Sequence, residues 1–159
     1  MLGEIRFDDI EGVNAAASEV FGEFGDEIEV TQAMIDRFAD LTDDHQWIHV
    51  DVDRCAQASP FGVPIAHGFL TLSLLPPLMR NVPGTTIVGH TTGVNFGAES
   101  LRFLSPVPVG SRIAARARIV GAIERSGGTL ITSEAAIHVV GNEKPSVLYR
   151  MQVLYRGAV

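Results

Sequence analysis

Phe61-Gly62-Val63-Pro64-Ile65-Ala66-His67-Gly68-Phe69-Leu70-Thr71-Leu72-Ser73-Leu74-Leu75-Pro76-Pro77-Leu78-Met79 is the most apolar stretch of the chain, and its reading decides the fold. It is near the lower limit of a membrane span, but paired prolines inside so short a span would leave backbone groups unsatisfied in lipid. A buried core helix beginning at Gly68 is the better reading. With few polar side chains on any face, such a helix must be covered all round by protein. Pro76 and Pro77 should kink or thin it, because proline has no N–H to donate.

The sequence on either side says what covers it. From about Thr85 onward the pattern is that of strands. Arg112, Arg116 and Arg118 alternate with Ile113, Ala115, Ala117 and Ile119. Ser126-Gly127-Gly128 reads as a hairpin turn into a strand over 130–140, and Gly141-Asn142-Glu143-Lys144-Pro145 turns the chain again. Val147, Tyr149, Met151, Val153 and Tyr155 then share one face of another strand. Strands joined by tight turns are antiparallel. Upstream, residues 13–20 look weakly helical and residues 27–30 alternate like a short strand. Thr31 can cap a helix to about Leu41, and Asp51 can cap another over 52–58. One apolar helix followed by an antiparallel meander predicts an α+β architecture in which the sheet wraps around that helix.

Composition bounds the function. The 159 residues suffice for one domain, expected to span 1–159 with residues 1–26 as an N-terminal extension carrying the weak helix. A hydrophobic fraction of 46% excludes intrinsic disorder. One cysteine, Cys55, excludes an internal disulfide framework and a multi-cysteine zinc cluster. The net charge of −7 makes the chain a poor nucleic-acid binder, but it is unevenly spread. Residues 1–60 hold fifteen Asp/Glu against three Arg; residues 61–159 hold four Asp/Glu against eight Arg and one Lys. The sums are −12 and +5, so the second part could attract a small polyanion. The start lacks a basic region followed by an apolar run and is not a secretory signal, so a cytoplasmic location is expected.

Chemistry concentrates in Asp43-Asp44-His45-Gln46-Trp47-Ile48-His49-Val50-Asp51-Val52-Asp53. Three readings compete. His45 and His49 at i, i+4 could share a helical face and bind zinc. However, Gln46 stands where the zincin pattern needs a glutamate base, and Trp47 with the alternation after it argues against a helix. Asp44 and His49 could instead hold one water as a proton-transfer pair. On a continuous helix they would point about 140° apart, so this needs the segment to loop. Finally, Asp43 and Asp51 could be plain turn and cap residues, with His45 in solvent.

The segment Thr42-Asp43-Asp44-His45-Gln46-Trp47-Ile48-His49-Val50-Asp51 resembles the motif of the MaoC-like, (R)-specific enoyl-thioester hydratase family: Ser/Thr-Gly-Asp-x-Asn-Pro-aliphatic-His, with an acid two positions on. Gln46-Trp47 in place of Asn-Pro is similar to the branch named for nodulation protein N. Gly62 to Leu72, Asn95-Phe96-Gly97 followed by Leu101-Arg102-Phe103, and Pro106-Val107-Pro108-Val109-Gly110 resemble further blocks of the family in the same order. The resemblance covers about residues 28–156. It implies the hot-dog fold, an antiparallel sheet wrapped around one long central helix, and a homodimer formed through the uncovered sheet edge.

The resemblance also implies the chemistry: reversible syn addition of water to a trans-2-enoyl thioester of coenzyme A or acyl carrier protein, giving an (R)-3-hydroxyacyl thioester. Asp44 and His49 match the catalytic pair. The Gly68 N–H, at a helix start, is the candidate oxyanion donor. Gln46, His67, Asn95 and Arg102 are candidate substrate contacts, His67 being equally readable as a structural histidine. No metal or redox cofactor is called for, since the thioester activates the alkene. Arg80, Arg102, Arg112, Arg116, Arg118 and Lys144 are available to coenzyme A phosphates. One departure is Asp43, where the family has glycine. If the position needs φ > 0, Asp tolerates it better than most residues but less well than Gly, and a second carboxylate beside Asp44 is expected to shift the pH optimum or reduce activity. A hot-dog thioesterase and a non-catalytic acyl-thioester-binding protein are the rival readings.

Overall fold

A computed structural model describes residues 3–158. In chain order the elements are β1 (Glu4–Arg6), α1 (Ile10–Ala15), β2 (Glu27–Glu29), α2 (Gln32–Thr42), α3 (Trp47–Val50), α4 (Val52–Ala58), α5 (Gly68–Ser73), α6 (Leu75–Leu78), β3 (Thr86–Val88), β4 (Thr92–Phe103), β5 (Arg112–Arg125), β6 (Gly128–Val139) and β7 (Val147–Arg156). Five strands form one antiparallel sheet in the order β2-β5-β6-β7-β4, while β1 and β3 pair in parallel. The α+β expectation holds. The β5–β6 hairpin turns on Ser126 and Gly127, both at positive φ, which is the turn geometry that matches strand twist.

The apolar stretch lies against one face of this sheet. Leu70, Leu75 and Leu78 pack with Ile113, Ala115, Ala135, Ile137 and Val147, and α2 contributes Ile35 to the same core. The expected long helix is instead two short ones, α5 and α6, joined at Leu74. Pro76 and Pro77 cannot donate to the carbonyls one turn back, so the helical ladder loses two consecutive bonds there. The helix is also not covered all round. Phe69 is 61% exposed and meets Phe103 of β4 edge to face, with ring centroids 5.4 Å apart.

The two sheet edges differ. Along β5, residues 18–25 act as an irregular extra strand: Ser18, Gly22 and Gly25 donate their N–H groups to the carbonyls of Ile119, Ala117 and Ala115. This explains why the N-terminal helix ends at Ala15 and does not cover residues 13–20. Asp9 caps it early through Gly12 N–H, and the following residues are drawn onto β5. The other edge is β4, which is exposed over most of its length and carries Val94, Phe96 and Phe103 in the open.

Leu78 is fully buried at the centre of the core. Leu78→Ala is expected to lower unfolding free energy by about 2–5 kcal/mol, read as a lower urea midpoint with unchanged slope.

Candidate active site

The corner between α2 and α3 builds the site. Thr31 caps α2, its hydroxyl oxygen accepting from Met34 N–H at 3.3 Å, and Ile35 and Ala39 form the buried stripe that holds the helix down. The helix stops because Asp43 takes a left-handed conformation, φ 56° and ψ 26°, and Asp44 N–H closes the cap on the Ala39 carbonyl at 3.1 Å. The Asp43 position does therefore need positive φ. A loop follows, then the single turn of α3, which delivers His49 to the interior with only 7% exposed. The helix expected to be absent around Trp47 is present for one turn. It starts after His45, whose Nε2 turns away to Asp40 at 2.9 Å, so His45 and His49 do not share a face.

Segment 64–67 locks this corner to the helix start. Ile65 N–H donates to the Ile48 carbonyl at 3.0 Å, and His49 Nδ1 donates to the Ile65 carbonyl at 2.7 Å. A carbonyl oxygen only accepts, so the neutral His49 ring carries its proton on Nδ1 and presents a lone pair at Nε2. Ala66 N–H donates to the Val107 carbonyl at 2.8 Å, fixing the segment to the loop before β5. His67, 4% exposed, donates from Nε2 to the Asp44 carbonyl at 2.9 Å. Its ring stacks on His49 with centroids 3.8 Å apart and planes 27° from parallel.

Asp44, His49 and His67 thus converge: one carboxylate oxygen and one nitrogen from each ring lie within 4.8 Å of one another. The Asp44 side chain is about half exposed, so the cluster opens to solvent on its acidic side. Such a trio could in principle hold a metal ion, but His67 Nε2, donating to the Asp44 carbonyl, has no lone pair to offer one in that tautomer. Burial pushes the His49 pKa below its ordinary 6.5, and the nearby His67 adds to the effect against the pull of the Ile65 carbonyl and Asp44. His45, exposed, goes the other way because Asp40 accepts from it, with Asp43 and Asp44 adding attraction.

The remaining predicted residues are spread more widely. Gly68 opens α5, and its N–H is among the first-turn amides with no intrahelical acceptor. A Cβ there would lie 2.8 Å from the Phe103 ring of β4, so any larger residue would need that ring to move. Gln46 is exposed at the start of α3, beside Asp44. Asn95 lies toward the opposite end of β4 from Phe103. Arg102 is opposite Leu148, on the other face of β4 from Phe103. Of the cations considered for coenzyme A phosphates, Arg118 is tied to Glu134 and Glu19, Arg112 to Glu27, and Arg116 lies over Phe21 and Phe24. Sequence reading missed Gln32, whose Nε2 donates to the His49 carbonyl at 2.8 Å, and the Ile65 carbonyl that sets the His49 tautomer. A main-chain acceptor carries no residue signature; Gln32 is marked only by its place after a capping threonine. Cys55 is buried behind α3, and burial pushes its thiol pKa up, as expected of a structural cysteine.

The MaoC-like domain model matches residues 17–142. The chain belongs to the MaoC-like family. Over 150 residues, 94% of this chain and 97% of the relative, it is 42% identical to 3-hydroxyacyl-thioester dehydratase Z of Mycobacterium tuberculosis. Over 122 residues, 76% of this chain and 74% of the relative, it is 43% identical to nodulation protein N of Rhizobium leguminosarum bv. viciae. In structure it resembles the (R)-hydratase from A. caviae involved in PHA biosynthesis, with a TM-score of 0.67 and 25% identity over 89% of this chain and 98% of that one. The sheet around the α5–α6 pair is accordingly the MaoC-like hot-dog, and the nodulation protein N branch suggested by Gln46-Trp47 is supported. Among the described residues, no helix is long and apolar enough to cross a membrane.

Asp43 is the point where this MaoC-like chain departs from its motif. Its carboxylate faces solvent, so Asp43→Gly removes backbone strain and little else. The variant is expected to gain up to about 1 kcal/mol in stability. Calorimetry should show an equal or higher Tm; a clear loss would mean the carboxylate holds the corner.

Proposed function

We propose that this protein is an (R)-specific hydro-lyase that adds water across a trans-2-enoyl thioester of coenzyme A or acyl carrier protein and catalyses the reverse dehydration. The observation that carries this reading is the meeting of Asp44 and His49 at one locus beside the first turn of α5, across a chain reversal that serves no other evident purpose.

The geometry supports a division of labour. The Nε2 of neutral His49 accepts a proton from water as the water oxygen bonds to C3. The Asp44 carboxylate accepts a hydrogen bond from the other O–H and orients the attack. The C2=C3 π electrons move toward the thioester, and the resulting enolate oxygen is met by the Gly68 N–H. As the enolate collapses, the His49 imidazolium returns the proton to C2. Both additions come from the side on which His49 lies, which gives syn stereochemistry, and atoms balance without an outside proton. Dehydration runs the same steps backward. The thioester carbonyl does the activation, so no resident cofactor is required and the carrier is part of the substrate. The cytoplasm, where coenzyme A thioesters circulate, is the location that suits this activity.

Two copies are proposed to pair through β4. It is the longer of the two edge strands of the sheet, and Val94, Phe96, Phe103 and the adjoining Phe69 are large apolar side chains left in solvent by one chain. Sedimentation should give about twice the 17.1 kDa chain mass; a monomer at micromolar concentration would remove this part of the reading.

The activity is tested with crotonyl-CoA by loss of enoyl absorbance, with free thiol followed in parallel. Asp44→Asn and His49→Gln should each lower kcat by at least about a hundredfold with the fold retained. Near-normal rates in both would sink the pair, and thiol release without hydration would favour a thioesterase. The wild-type pH profile should be flat near neutrality. It should fall on the acid side with a midpoint below 6.5, because His49 must be neutral to accept a proton and burial depresses its pKa.

A further inference from the structure

We propose that His67 is a positioning residue for the catalytic pair: through Nε2 it fixes the main chain at Asp44, and through its ring face it fixes the plane of His49. The proposal rests on the hydratase reading above and deepens it.

His67 stands at the N-cap position of α5, yet its side chain makes no capping bond to that helix. A histidine retained as a cap would accept from a first-turn N–H. Instead Nε2 reaches across to the Asp44 carbonyl, on a different element, at 2.9 Å. That bond dictates the tautomer. The acceptor is a carbonyl, so the neutral ring has its proton on Nε2 and its lone pair on Nδ1. Nδ1 is buried and has no hydrogen-bond partner among the described residues. Packing alone does not account for this arrangement, since an apolar ring of the same size would fill the space without leaving a buried nitrogen unpartnered.

The ring lies between Phe38 of α2, at 5.1 Å, and His49 of α3, at 3.8 Å. One side chain therefore touches both halves of the pair and the helix that leads into them. It links the start of α5, where the thioester oxygen is met, to the two groups that handle water. The titratable groups around His49 are Asp44 from the α2–α3 corner, His67 from the start of α5, and the Cys55 thiol of α4, which points at the Trp47 and Ile48 carbonyls behind it. Of these, His67 is the one that covers the His49 ring and keeps water from its face, so its removal relieves the burial that depresses His49.

Two substitutions separate the contacts. His67→Phe keeps a ring against His49 but gives up the donor to Asp44; His67→Gln keeps a donor but gives up the ring. His67→Phe should lower kcat about tenfold or more with KM changed less than about threefold, because the water-orienting carboxylate loses its anchor. His67→Gln should retain more of kcat, and should move the acid limb of kcat/KM up toward pH 6.5. Two folded variants with wild-type kcat and an unmoved limb would overturn the proposal, since a purely structural histidine would change Tm alone. Should either variant fail to fold, long-range proton–nitrogen NMR on the wild-type imidazoles decides. The expected result for His67 is a proton on Nε2 with Nδ1 unprotonated and unbonded; a neutral ring protonated on Nδ1 would overturn the assignment. A wild-type protein that hydrates no enoyl thioester would sink the hydratase reading instead, and the NMR measurement would still judge the His67 contact.

Discussion

The left-handed residue at Asp43 is the constraint on which the site depends. Had α2 run on, Asp44 and His49 would face directions about 140° apart and could never share a water. A single residue at φ 56° breaks the helix, and the next polar groups then close on one another: Asp44 N–H on Ala39, His67 on the Asp44 carbonyl, and His49 on Ile65. Each of these bonds involves the main chain. The side chains proposed to do the chemistry are therefore held largely by backbone geometry, with the His49 ring fixed through Nδ1 and the Asp44 carboxylate accepting only from Gln46 N–H among the described residues. Asp is tolerated in this conformation better than most residues because its short polar side chain interacts locally. This fits its use here in place of the glycine of the family motif.

Burying two histidines in contact has an electrostatic consequence. The interior disfavours the charged ring, so His49 is set up as a base at neutral pH without any help from a partner carboxylate. Exposed His45, close by in sequence, is shifted oppositely by Asp40 and its neighbours. The same short segment thus holds one histidine tuned toward neutrality and one tuned toward charge. A neutral ring is the form that can take a proton from water.

Much of the fold was legible in the sequence. Arg112 to Ile119 alternates because that strand has a core face and an outer face, and Ser126-Gly127 reads as a turn because both residues must adopt positive φ. The helix caps at Thr31 and Asp51 were readable because a short polar side chain before an apolar run has one common use. Where the reading failed, a tertiary contact outweighed local preference. The helix expected over residues 13–20 stops at Ala15, because β5 carbonyls recruit Ser18, Gly22 and Gly25. The apolar helix is interrupted because the sheet can support α5 and α6 through Leu70, Leu75 and Leu78 despite the bonds lost at the prolines.

Asp44 and His49 could be singled out as candidates from sequence because motif spacing survives as residue identity. Gly68 was singled out as a candidate donor, and the structure adds that the space above it is taken by Phe103, a strand residue remote in the chain. The contacts of Gln32, of the Ile65 carbonyl and of His67 with Asp44 were invisible, since each is a meeting of segments far apart in sequence, and all three use a main-chain oxygen that every residue possesses. The sequence by itself determined the class of fold and singled out the two residues proposed to move a proton. Only the tertiary structure decided which nitrogen of each histidine is free. Tautomer, ring plane and basicity are properties of what surrounds a side chain, and the surroundings exist only once the chain has folded.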